Sequence, residues 1–81
     1  MDTVNAGGRR LEFELEQDGG RWSWSLYEAG EMIASGMWLD DRIECLKNLA
    51  AYLNGLSGEA ASPENERQIC YSLISKGVRA A

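Results

Sequence analysis

The chain has 81 residues, a net charge of −5 and no histidine. That length makes one domain, and its acidity sets it against phosphate backbones and anionic lipid, so neither nucleic acid nor a membrane is expected as a direct partner. Without histidine no Ser-His or Cys-His nucleophile pair can be assembled, and no apolar run approaches the roughly 20 residues that span a bilayer.

Residues 1–8, MDTVNAGG, lack the apolar core of a signal peptide, and Gly7 and Gly8 point to a flexible N-terminal arm. A cytoplasmic protein is the matching expectation. The rest, residues 9–81, reads as a single α+β domain. Its predicted plan is a three-stranded antiparallel meander over residues 9–38 followed by helices over 41–54 and 63–76 (β-β-β-α-α).

The first strand alternates. Leu11, Phe13 and Leu15 point one way, while Arg10, Glu12, Glu14 and Glu16 point the other, the pattern of a half-buried strand. Asp18-Gly19 is a dipeptide favoured in type I′ turns. Trp22, Trp24 and Leu26 then share a face in the second strand. Centring the turn on Asp18 and Gly19 sets Leu15 against Trp22, Phe13 against Trp24 and Leu11 against Leu26. A slip of one residue would place both tryptophans beside glutamates and is excluded. A slip of two, with the turn on Gly19-Gly20, keeps the parity and stays open.

The second turn spans Glu28, Ala29, Gly30 and Glu31. A three-residue loop with Gly30 left-handed and a bulge would set Met32, Ala34 and Gly36 beneath Leu26, Trp24 and Trp22. That version is preferred because Ala34 and Gly36 leave room for the indoles; a two- or four-residue loop would instead turn Ile33, Ser35 and Met37 inward. Either way the third strand is apolar on both faces, with Met32, Ala34 and Trp38 on one and Ile33 and Met37 on the other. Such a strand is usually covered twice.

Asp40 or Asp41 is expected to cap the first helix. Ile43, Leu46, Leu49, Ala50 and Leu53 form its apolar stripe, and Asn54-Gly55 should end it in the left-handed manner. Ser62-Pro63-Glu64 starts the second helix with Ser62 as the cap. Ile69, Cys70, Leu73 and Ile74 make a narrower stripe that either completes the same core or reaches a partner.

Chemistry-bearing constellations are few. Cys45 and Cys70 fall inside predicted helices without the paired spacing of a zinc site, so reduced, buried thiols are expected, and no metal or cofactor. Glu12, Glu14 and Glu16 line one strand face, which reads as a solvated face protecting an edge or as an acidic surface that meets a basic partner. Trp22 and Trp24 could form a stacking platform, but Phe13 and Leu15 opposite them favour a core position.

The stretch RWSWSLYEAGEMIASG resembles the core motif of the YegP-like family of uncharacterised bacterial proteins. The matching residues are Gly19, Gly20, Trp22, Trp24, Leu26, Gly30, Ile33 and Ser35, with the helix over 41–53, about half of the chain. Ala29 stands where the family has a turn asparagine, Trp38 is nearest to a family tyrosine, and the second helix is an addition. Tandem or dimerised units in that family imply pairing here; the resemblance implies no activity and no binding residues.

The resulting expectation is a small non-enzymatic interaction module that binds a second copy of itself or another protein. Its expected interface comprises Met32, Ile33, Met37 and Trp38 of the third strand and Ile69 and Leu73 of the second helix. The alternative is an acidic inhibitor of phage or mobile-element type that blocks a nucleic-acid-handling complex through Glu12, Glu14 and Glu16, either as a mimic of DNA or in the manner of an anti-CRISPR protein.

Overall fold

A computed structural model describes residues 1–36 and 39–79, with side chains to residue 76. The elements in chain order are β1 (Asp2–Ala6), β2 (Arg9–Asp18), β3 (Arg21–Glu28), β4 (Glu31–Ser35), α1 (Arg42–Leu56), a 3-10 turn at Gly58–Ala60 and α2 (Pro63–Arg79). The strands form one antiparallel sheet in the order β1-β2-β3-β4. The α+β plan, an antiparallel sheet followed by two helices, is as expected; the number of strands is not.

The additional strand is β1, in residues expected to form a flexible arm. Val4 and Ala6 alternate with Thr3 and Asn5, and the alternation buries the two apolar residues beside Leu11. Gly7 and Gly8, read as a sign of looseness, both adopt left-handed backbone (φ 60° and 76°) and make a tight turn back into β2. The polar residues Asp2 and Asn5 have low strand propensity, so pairing with β2 and burial of the alternate positions decide the conformation.

The β2–β3 hairpin takes the register that was left open. Its turn is Gly19-Gly20 (φ 59° and 83°), which sets Asp18 against Arg21, Leu15 against Trp24 and Phe13 against Leu26. The expected alternative would have put Asp18 in the left-handed region, which costs an L-residue about 1–2 kcal/mol. Its gain, a Leu15–Trp22 cross-strand pair, is worth about 0.2–1 kcal/mol. Turn chemistry wins, and Trp22 ends beside Gln17 at the margin of the core, only half-buried.

The β3–β4 turn also has two residues, Ala29 and Gly30 (φ 53° and 84°), not the expected three. The bulge lies further along: Tyr27 faces Met32, whereas Leu26 faces Ala34. The irregularity breaks the alternation of β4, so Met32 sits across from Tyr27 while Ala34 lines the core beside Leu26. Gly36 follows beneath Trp24, its N–H donating to the Trp24 carbonyl at 2.8 Å. A Cβ at Gly36 would fall inside the Trp24 indole. The sheet continues as a single bridge between Trp22 and Leu39.

Asp41 caps α1, its carboxylate accepting from the Glu44 N–H at 3.0 Å. The buried stripe is Cys45, Leu46, Leu49, Ala50 and Leu53. Ile43, expected in it, is exposed, and Cys45 takes that part of the face. The helix runs through Gly55 to Leu56, and the left-handed residue is Gly58 (φ 62°). Asn54 is therefore helical and serves another purpose. Its Oδ1 accepts from the Ser62 N–H (3.2 Å) and the Asn65 amide (2.7 Å), fastening the start of α2 to the end of α1. Ser62 caps α2 as read, accepting from the Asn65 N–H at 3.0 Å, and α2 continues past the expected end at residue 76.

Leu11, Phe13, Trp24 and Leu26 meet α1, and Leu73 of α2 completes the same core. Ala29 is the one described residue other than glycine with left-handed backbone. Changing Ala29→Asn or Ala29→Gly is expected to stabilise the fold by about 0.5–1 kcal/mol. In a thermal melt that should appear as a midpoint roughly 3–6 °C higher; an unchanged or lower midpoint would show that the turn carries no strain.

Candidate functional site

The sheet face away from α1 carries polar groups in columns. Glu12, Glu14 and Glu16 project from β2. Register places Thr3 and Tyr27 on either side of Glu12, Ser25 beside Glu14 and Ser23 beside Glu16, with Ser35 beyond Ser25. Glu12 and Glu16 are exposed and Glu14 is half-exposed. Successive carboxylates on one strand face stand about 6.6 Å apart, too far to converge on one cation. They can meet separate positive groups on a basic surface. Among the described residues no group of metal-ligating side chains gathers anywhere.

The β4 edge is the apolar counterpart. Met32 is 56% exposed and Ile33 36% exposed. Met37 and Trp38, expected beside them, lie outside the described residues. Of the two α2 residues expected there, Leu73 is corrected. Leu73 is 1% exposed inside the core, and Ile69 packs against that core, because α2 folds back on α1. Leu73 is thus satisfied within the chain and Ile69 half-buried, which leaves Met32 and Ile33 as the exposed members of the expected interface among the described residues.

The tryptophans do not form a platform. Trp24 is 3% exposed, its Nε1–H donates to Asn48 Oδ1 at 2.8 Å, and its ring lies 5.5 Å from Tyr52 at an angle of 49°. Cys45 is buried and Cys70 half-buried, both as free thiols. Burial pushes each thiol pKa up, against the opposing effects of Arg42 on Cys45 and Lys47 on Cys70, so neither is activated as a nucleophile.

Two features were not anticipated. One is a fork between Arg9 and Glu28 at the end of the core face, with Nε to Oε2 at 3.0 Å and Nη2 to Oε1 at 2.6 Å. The Arg9 hydrogen bond holds the Glu28 carboxyl below the ordinary carboxylate range. The other is a cleft of about 270 Å³ between β1 and α2, bordered by Thr3, Val4 and Asn5 on one side and by Gln68, Ser72 and Lys76 on the other. It was hidden by reading residues 1–8 as an arm. The alternation of Thr3, Val4, Asn5 and Ala6 before Gly7-Gly8 was the signal available.

No helix among the described residues is long and apolar enough to cross a membrane. Comparison with protein-family models, with curated proteins and with solved structures finds no match to this chain.

Glu28 titrates with a folded pKa below its unfolded value, so the stability it contributes is present above the unfolded value and is lost as pH falls through the folded one. Both side chains of the fork are more than a third exposed, which keeps the contribution small. Glu28→Gln is expected to lower the urea midpoint at neutral pH and to match the parent once pH is below the carboxylate range. A difference that persists undiminished in acid would assign the loss to packing and not to charge.

Proposed function

We propose that this chain is a small, non-enzymatic interaction module of the cytoplasm that pairs with a second copy of itself through the edge of β4. The observation that carries this reading is the exposure of Met32 and Ile33 on an edge strand while Leu73 of α2 is buried inside the chain. An edge strand offers unpaired backbone donors and acceptors, and methionine and aliphatic side chains beside them add apolar area that water does not hold. Antiparallel pairing of β4 with β4 would join two sheets into eight strands with β1 at both ends. The resemblance of the β2–β4 segment to a family with tandem or paired units supports the same reading.

Light scattering behind a sizing column tests it. The expected mass is twice 9.0 kDa, unchanged between low and high salt because the contact is apolar. Met32→Lys with Ile33→Lys should give a folded monomer. A parent chain that is monomeric at every salt concentration overturns self-association.

The uncovered column of Glu12, Glu14 and Glu16 favours a second reading, an acidic inhibitor that occupies a basic groove in a nucleic-acid-handling complex. A decalysine peptide serves as the probe. Changing the three glutamates to Gln should weaken its binding more than Asp40→Asn, Glu59→Gln and Glu64→Gln, which remove the same charge elsewhere. Equal loss in the two variants, or binding that ignores salt, would show that net charge and not this face is responsible.

A further inference from the structure

We propose that the cleft between β1 and α2 binds the C-terminal end of an extended, otherwise uncharged peptide, which adds to β1 as a fifth strand and sets its terminal carboxylate on Lys76. The site lies at the sheet edge opposite β4 and does not depend on self-association there.

The backbone of β1 points to such an occupant. A two-residue turn at Gly7-Gly8 makes Ala6 and Arg9 the first hydrogen-bonded pair of the β1–β2 ladder, so Val4 and Asp2 also bond to β2. Thr3 and Asn5 then direct their N–H and C=O groups away from the sheet. No backbone hydrogen bond outside the strands uses either residue among those described. The cleft sits at this free edge: Thr3, Val4 and Asn5 all border it, although their side chains alternate between faces. A cleft that runs along the edge accounts for contact with three successive strand residues.

The opposite wall fits the same ligand. Asn65, Gln68, Ser72 and Lys76 border the cleft at spacings of three, four and four, one face of α2. That face is about 16 Å long, close to the roughly 17 Å of a five-residue strand. A helix laid over a strand edge to seal it would present apolar side chains throughout; here Ile69 is accompanied by Gln68, Ser72 and Lys76, whose amide, hydroxyl and ammonium groups can bond to an inserted strand. Edge strand beside helix is an established way of holding an extended peptide, with main-chain bonds for affinity and side-chain contacts for specificity.

Lys76 fixes the chemistry at one end. It is half-buried, and the ion pairs among the described residues, Arg9 with Glu28 and Lys47 with Glu44, do not include it. A carboxylate is its complement. The net charge of −5 opposes a ligand with several acidic groups, so a single carboxylate is favoured. Lys76 is the last residue of the stripe, where the end of a bound chain would fall.

The test uses the full chain, labelled with nitrogen-15, and an acetylated hexapeptide of alternating threonine and valine, with a free C-terminus or amidated. The free-acid peptide should shift the Thr3 and Asn5 amides and slow their exchange with solvent. Amidation, or Lys76→Gln in the protein, should weaken binding about tenfold. Asn5→Pro, which removes an outward-facing donor at a strand edge, should abolish binding with the circular dichroism spectrum retained; if that variant unfolds, Lys76→Gln decides alone. No shift at Thr3 and Asn5 at about 1 mM peptide, shifts confined to Glu31–Ser35, or equal affinity for the two peptides would overturn the proposal.

Discussion

Each hairpin in this sheet turns on two consecutive residues with left-handed backbone: Gly7-Gly8, Gly19-Gly20 and Ala29-Gly30. Because strand side chains alternate with a period of two, the position of each turn decides which set of residues meets the helices. The middle turn sends Phe13, Trp24 and Leu26 toward α1 and leaves Glu12, Glu14 and Glu16 on the other face. The first turn buries Val4 and Ala6 and so frees the edge backbone of Thr3 and Asn5. The third, with its bulge, brings Ala34 and Gly36 under the core while Met32 stays outside.

Trp24 is where these consequences converge. Its indole lies over Gly36, where any side chain would collide with it. Its N–H is satisfied by Asn48 from α1, and Tyr52, one helical turn further along, packs against its ring. A buried indole N–H without a partner costs on the order of 1–3 kcal/mol, so Asn48 fixes the helix on the sheet as well as satisfying a donor. A register shifted by two residues would move Trp24 off Gly36 and away from Asn48. The glycine turns and the tryptophan therefore specify the same arrangement, and neither could drift without loss at the other.

Much of this was legible in the residues. Alternation from Leu11 to Leu26 gave the face that α1 covers, Asp40-Asp41 and Ser62 gave the helix starts, with Asp41 proving to be the cap, and Glu12, Glu14 and Glu16 fell on the outer face as read. The parts not legible share a cause: they depend on energies that a local pattern does not weigh. Asp18-Gly19 looks like a turn until the second glycine offers the same geometry without strain. Residues 2–6 look loose until Leu11 and Phe13 provide a partner strand. Asn54-Gly55 looks like a helix stop, but the side chain of Asn54 is more useful inside the helix, where it holds Ser62 and Asn65. The stripe on α2 was ambiguous in principle, because an apolar helix face reads the same whether it packs on its own chain or on another.

The two edges of the sheet differ for a reason that lies in the helix layer. Four strands spaced about 4.8 Å apart present a face that two helices, each about 10 Å across, are wide enough to cover only if they are centred on it. α1 lies over β3 and β1, and α2 packs on α1 and borders the edge of β1. α2 makes a cleft with that edge, whereas at the opposite edge Met32 and Ile33 of β4 stand exposed. In the short connection after α1, Asn54 ties Ser62 and Asn65 to the end of that helix and so guides the return of α2. An edge flanked by a helix is shielded from pairing with whole sheets yet remains open to a single strand. At the β4 edge the short length of the strand and its bulge act as restraints. That contrast is the reason a narrow ligand is proposed for one side and a folded partner for the other.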